Sequence, residues 1–144
     1  MTTITSPAAL AAGTALPSWQ VHPTTLQLFR FSAVTWNAHR IHYDREYARE
    51  EGYPDVLVQS HLHGAFFAEA LIRWLGPRLS FRELSWQNRH YALPGDELTV
   101  TGTVMTVGRE EQIYVIEIEL TEHNQDGVLC AQGRAVVVAG EERR

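Results

Sequence analysis

Only one cysteine, Cys130, occurs in the chain, so no intrachain disulfide can form. It lies in a β-like run and reads as a small buried apolar side chain, compatible with a reducing compartment. Basic residues are also scarce: 12 Lys and Arg stand against 17 Asp and Glu, for a net charge of -5. A general nucleic-acid binder needs a basic footprint, so that class is excluded. No apolar run reaches the roughly 18 residues of a membrane-spanning helix. Residues 1–16, rich in Thr, Ala and Ser, lack the basic start and continuous apolar core of a signal peptide. They read as a flexible tail, residues 141–144 as a frayed end, and the expected location is the cytoplasm. No dinucleotide, flavin or phosphate-loop motif is present, so no cofactor is expected. Internal repeats and low-complexity segments are missing too.

What remains is the composition of one globular domain, 144 residues with 44% hydrophobic, long enough to bury a core without metal or disulfides. Its expected span is 17–140. Residues 24–35 alternate partly and read as a strand, with a short helix near Ser32. Asp44 is placed to cap a short helix running to Glu51. From His61 to Leu75 the chain is apolar nearly all round, which marks a buried helix; Ser60 is its expected N-cap and Gly76-Pro77 its end. Beyond Leu79 the period falls to two, giving about four antiparallel strands: 81–92, 98–107, 112–122 and 128–138, with a hairpin turn at 108–111. A single helix this apolar must be wrapped. A curved sheet covers one side and a partner subunit the other, so the expectation is an α+β fold, dimeric, with the sheet around one central helix.

Chemistry concentrates in two polar knots. Residues 35–44, Thr-Trp-Asn-Ala-His-Arg-Ile-His-Tyr-Asp, hold Asn37, His39, Arg40 and His42. Residues 59–64, Gln-Ser-His-Leu-His-Gly, open the buried helix. Four of the seven histidines fall in these knots, and imidazole is the side chain suited to proton transfer near neutrality. The two knots therefore read as two walls of one active site. Each residue has a plainer alternative. His42 also fits a buried structural histidine, Asn37 a turn stabiliser, His39 an exposed bystander and Arg40 a surface ion pair. Asp44 fits a helix cap, and His61 and His63 fit ordinary polar residues at a helix start. Gly64 permits close backbone approach or is simply a helix glycine. Trp36, Trp74 and Trp86 read as core or interface packing. A metal held by His39, His42, His61 and His63 is a further alternative of weak spacing.

The string Asn37-Ala38-His39-Arg40-Ile41-His42-Tyr43-Asp44 resembles the Asp-x-Asn-Pro-x-His-x-Asp motif of the MaoC-like (R)-specific enoyl-CoA hydratases and 3-hydroxyacyl-thioester dehydratases. The longer string from Phe29 is similar to the branch that includes mesaconyl-CoA-type hydratases and mitochondrial-type dehydratases. The resemblance implies a hotdog fold and a carbon–oxygen lyase. It implies an acyl thioester of CoA or acyl carrier protein as substrate, and a homodimer or a heterodimer with another hotdog subunit. His42 falls on the family's catalytic His. Asn37 stands where the wider family has Asp, and Gln59-Ser60 where it has His-Gly. In these terms His42 is the general acid/base, Asn37 orients water, and His39 is a second acid/base. Arg40, Gln59, Ser60, His61 and Gly64 form the substrate side, with helix-start amides polarising the thioester carbonyl. The acyl group is left open between a short or branched dicarboxylic chain and a long or carrier-bound one. A non-catalytic or partner-dependent subunit and an acyl-thioesterase are the rival functions on the same fold.

Overall fold

The computed structural model describes residues 4–140, so the frayed end expected at 141–144 lies outside the described residues. Five strands form one antiparallel sheet: β1 (Ala15–Val21), β2 (Ser80–Asn88), β3 (Leu98–Glu110), β4 (Ile113–His123) and β5 (Leu129–Gly140). Their order across the sheet is β1-β3-β4-β5-β2. Helix α3 (Ser60–Leu75) lies against it, while α1 (Thr25–Thr35) and the short α2 (Arg45–Glu50) precede α3 in the chain. This is the hotdog arrangement, an α+β fold in which the sheet wraps one long helix. Among the described residues no helix is long and apolar enough to cross a membrane.

The period-two strands form as the alternation requires. On β3 the buried side chains Leu98, Val100 and Val104 face the core, and on β4 Ile116, Ile118 and Leu120 do the same. The β3–β4 turn lies two residues later than the expected 108–111, since Glu110 pairs with Ile113 and Gly108 is still a ladder residue opposite Val115. Glu111 takes the left-handed conformation there, with φ 53°. The strand expected to run on to Ala92 stops at Asn88. The amides of Arg89 and His90 then turn onto the Cys130 carbonyl at 2.7 and 3.2 Å.

Helix α3 buries Phe66, Phe67, Ala70, Leu71, Trp74 and Leu75. Its outer stripe is not apolar throughout: Glu69 and Arg73 pair across one turn at 2.6 Å. The helix sits close on the sheet because Gly102 of β3 faces Trp74. A Cβ there would come within 2.9 Å of the indole.

Two expectations are corrected. The stretch 24–35, read as a strand, forms helix α1 (Thr25–Thr35) behind Thr24. The Thr24 hydroxyl accepts from the Gln27 amide at 3.1 Å, an N-cap, and Leu28 and Ser32 share the buried face at helical spacing. The apparent alternation of Leu26, Leu28, Phe29 and Phe31 misled because Leu26 and Phe29 are exposed. Residues 4–16, read as a flexible tail, carry packed groups: Leu10 and Leu16 are buried, and the Thr5 amide donates to the Trp74 carbonyl at 2.7 Å.

Trp74, at 1% exposure, is the largest fully buried side chain. Trp74→Ala is expected to destabilise the fold by about 3–5 kcal/mol. Gly102→Ala is expected to destabilise it by about 1–3 kcal/mol through overpacking. Denaturant unfolding of the purified variants measures both.

Candidate active site

The first knot is a chain of local hydrogen bonds that begins where α1 ends. Trp36 closes α1 in the left-handed conformation, φ 54°, which is uncommon for a non-glycine residue and reverses the chain at once. Its indole is 91% exposed, so of Trp36, Trp74 and Trp86 it is the one outside the core. The Asn37 amide donates to the Ser32 carbonyl at 3.0 Å, and Asn37 Oδ1 accepts from the His39 amide at 3.3 Å. His39 Nδ1 in turn accepts from the Ile41 amide at 3.4 Å, opening a single 3-10 turn over Arg40–His42. Asp44 caps α2 as the sequence suggests, accepting from the Tyr47 amide at 3.1 Å.

His42 is buried and held from two directions. Its Nδ1 lies 2.8 Å from the Leu57 carbonyl, and the Leu57 amide donates to the Ile41 carbonyl at 2.9 Å. A carbonyl can only accept, so Nδ1 carries the proton and the neutral ring presents Nε2 as a base. Burial holds the His42 pKa below the ordinary 6.5, the Leu57 bond opposes this, and nearby His39 adds to the lowering. The His39 ring is 5.9 Å away, tilted and exposed.

The second knot supplies a helix start. In the first turn of α3 the Leu62 and His63 amides both reach the Gln59 carbonyl, at 3.0 and 3.3 Å. The amides of Ser60 and His61 come before the first intrahelical bond and stay available to a ligand. The N-cap position is Gln59 and not Ser60, and no side chain caps it. Ser60 Oγ instead lies 3.4 Å from Asn88 Oδ1, and the Ser60 carbonyl accepts from Trp86 Nε1 at 2.9 Å.

An open cleft of about 540 Å³ brings the two knots together. Asn37 and His42 line it from one side, Ser60, His61 and His63 from the other, and Asn88, Arg89, His90 and Tyr91 form a third wall. That third wall was missed. The only trace of it in the sequence is a polar run, Gln87 to His90, that breaks the strand alternation.

Four expected site residues do not line the cleft. Gln59 is fully buried and donates through Nε2 to the Leu28 carbonyl at 2.7 Å and to Ser32 Oγ at 2.9 Å. It ties α1 to the start of α3. Gly64 exists for Trp86: a Cβ would meet the indole at 2.5 Å. Arg40 pairs with Asp44 at 2.6 Å and lies over the Tyr47 ring at 4.5 Å, the surface ion pair that was its alternative. His39 stands beside His42 outside the lining. Among the described residues no three His, Cys, Asp or Glu side chains gather to hold a metal ion.

The family model described as hydroxyacyl-thioester dehydratase type 2 matches residues 3–94, most of the chain and all of both knots. The chain belongs to the hydroxyacyl-thioester dehydratase type 2 family. A mesaconyl-C(4)-CoA hydratase of Chloroflexus aurantiacus is 57% identical over 53 residues, 36% of this chain and 18% of that protein. The mitochondrial hydroxyacyl-thioester dehydratase type 2 of Saccharomyces cerevisiae is 32% identical over 80 residues, 54% of this chain and 27% of that one. The matched stretches thus span about a quarter or less of these curated relatives. Among solved structures, the unliganded R-hydratase PhaJ1 from Pseudomonas aeruginosa aligns with a TM-score of 0.85 at 22% identity, covering 95% of this chain and 86% of that one. The (R)-hydratase from A. caviae aligns at 0.81 and 21% identity, covering 90% and 96%. Likeness at that identity establishes the shared fold.

The His42 environment makes a direct prediction. Its protonated form is disfavoured in the fold, so the unfolded chain binds the proton more tightly. This contribution to stability is complete above about pH 6.5 and is lost as pH falls below it. Nitrogen-15 NMR is expected to show the Nδ1–H tautomer and a titration midpoint below 6.5. A midpoint above 6.5 contradicts the assigned environment.

Proposed function

We propose that the chain interconverts a trans-2-enoyl thioester and a 3-hydroxyacyl thioester, as a carbon–oxygen lyase acting on an acyl thioester of CoA or acyl carrier protein. The observation that carries this reading is His42. It is a buried imidazole with its Nδ1 proton committed to Leu57, in one cleft with the unpaired amides at the start of α3. Membership of the dehydratase family and the names of the relatives support the reaction class.

In the hydration direction His42 Nε2 takes a proton from water while the water oxygen bonds to the β-carbon. The electron pair of the carbon–carbon double bond moves towards the thioester carbonyl, whose oxygen becomes enolate-like. The Ser60 and His61 amides, at the positive end of the α3 dipole, hold that oxygen. A proton then reaches the α-carbon. Asn37 has no basic group; with Oδ1 engaged by the His39 amide, its side-chain NH₂ is left to orient the water. Dehydration follows the same path in reverse, since both directions share one transition state.

The structural relatives include assemblies of two different chains, ChsH1–ChsH2 and HadBC from Mycobacterium tuberculosis. A second copy of this chain, or a second hotdog subunit, is accordingly the expected partner. The engagement of Asn37 in its own turn favours one alternative: a partner-dependent subunit whose site is completed across such a pair.

A panel of enoyl-CoA esters of varied length and polarity, followed by loss of the conjugated thioester absorbance, tests the activity. His42→Ala is expected to lower kcat by about 10²–10⁴-fold with the protein still folded. A folded His42→Ala variant with undiminished turnover removes this mechanism. Asn37→Asp is expected to retain or raise activity, since it restores the carboxylate of the wider family's motif; loss of activity would place Asn37 outside the acid/base position. Release of free thiol without consumption of the double bond would mark a thioesterase instead.

A further inference from the structure

The chain carries a net charge of -5 and has no lysine, so its 12 basic residues are all arginines. Among the described residues, Arg40, Arg45, Arg73, Arg82 and Arg134 are each matched to an Asp or Glu in an ion pair. Arg89 is different. It lines the cleft that holds His42 and is exposed, yet its guanidinium meets no acid and makes no hydrogen bond among the described residues. No Asp or Glu stands in the lining. Glu122 lies behind it, fully buried and bonded to His63 Nδ1. A guanidinium is always charged. An acidic protein thus presents a permanent, unbalanced cation in the same cleft as the imidazole base.

The backbone fixes where that charge stands. Strand β2 ends at Asn88, and the amides of Arg89 and His90 both donate to the Cys130 carbonyl, at 2.7 and 3.2 Å. Three residues beyond Arg89, the Ala92 carbonyl accepts from the Val58 amide at 2.9 Å. The segment is therefore tied to β5 on one side and to the α3 lead-in on the other, while the Arg89 side chain stays unengaged. Tyr53 and Tyr91 stiffen this wall, with their rings edge to face at 5.7 Å. Ile41, Leu57 and Val58 add an apolar stretch of lining. Apolar lining that gives way to a fixed cation suits a short acyl chain ending in an anion. A long alkyl chain there would desolvate the guanidinium and leave it unpaired.

This step rests on the hydratase/dehydratase reading and names its substrate class. We propose that Arg89 is a specificity-determining residue that binds a carboxylate on the acyl part of the thioester through two parallel N–H donors. The substrate is then the monothioester of a short unsaturated dicarboxylic acid. Its thioester carbonyl meets the Ser60 and His61 amides, its double bond faces His42, and its free carboxylate meets Arg89. CoA brings oxyanions of its own, but its phosphates stand a whole pantetheine arm from the thioester sulfur. An acyl carboxylate lies only a few bonds from the double bond, within the same cleft.

The test assays the full chain with 3-carboxyprop-2-enoyl-CoA and 4-carboxybut-2-enoyl-CoA, each against its own methyl ester, which lacks the charge. The wild type is expected to prefer the free acids by about 10–10²-fold in kcat/KM. Arg89→Gln is expected to erase that preference, chiefly through KM. Arg89→Lys keeps the charge but loses the planar fork, and is expected to retain part of it. Because the side chain is exposed and unpaired, both variants are expected to melt close to the wild type. Pantetheine thioesters of the same acids carry no phosphate and identify the source of the anion. A preference that persists on pantetheine and disappears in Arg89→Gln supports the inference. A penalty that falls equally on acids and methyl esters of CoA, and vanishes on pantetheine, assigns Arg89 to a phosphate and overturns it. Equal kcat/KM for acid and ester in an active wild type, or a preference unchanged in Arg89→Gln, overturns the inference alone. Calorimetric binding of succinyl-CoA and its methyl ester, which have no double bond to hydrate, separates the two readings. A chain that hydrates nothing yet binds succinyl-CoA the more tightly, and loses this in Arg89→Gln, overturns the hydratase reading and keeps the carboxylate site. A chain that neither hydrates the acids nor binds succinyl-CoA in preference to its ester overturns both.

Discussion

Two hydrogen bonds at Leu57 hold the candidate site together. Its amide reaches the Ile41 carbonyl and its carbonyl receives His42 Nδ1–H, at 2.9 and 2.8 Å. One residue thereby joins the histidine-bearing turn to the segment that leads directly into α3. The same contact sets the imidazole tautomer, holds the ring in a buried setting that lowers its pKa, and fixes its distance from the helix start. A neighbouring bond from the Val58 amide to the Ala92 carbonyl, at 2.9 Å, brings in the wall beyond β2. The cleft is the space that these backbone ties leave between three segments distant in the chain.

The fold supplies the rigidity behind those ties. Five antiparallel strands wrap α3, and aromatic side chains are seated where glycine removes a Cβ: Trp74 over Gly102, and Trp86 over Gly64. Close seating fixes the first turn of α3, which carries the available amides, against the sheet. Gln59 performs a related task from below. Its buried carboxamide links α1 to the α3 lead-in, so the turn after α1 cannot drift from the helix start. Gln59 and Gly64, which the family resemblance implies for the substrate side, pack behind the cleft lining.

Much of this was legible in the chain. The alternation of residues 98–138 gave the sheet, the apolar run 61–75 gave the buried helix, and the concentration of histidines located both knots. Asp44 as a cap and Cys130 as a buried thiol were also readable, since each depends on neighbours close in sequence or on simple apolar surroundings. Other features were not. Helix α1 was misread because its exposed apolar residues imitate a strand pattern. The roles of Gln59 and Gly64 depend on Leu28, Ser32 and Trp86, which are far away in the chain. Arg40 had two equal readings until Asp44 and Tyr47 were seen to occupy it.

The sequence by itself determined the period of each strand, the one helix that must be wrapped, and the presence of imidazoles flanking that helix. These follow from side-chain chemistry and spacing over a few residues. Only the tertiary structure decided which imidazole is buried, which of its nitrogens is free, and that Glu122, 59 residues from His63, meets it inside the core. Those outcomes depend on contacts between segments whose separation along the chain carries no local signal, and burial, the cause of the altered protonation at His42, exists only once the segments have packed.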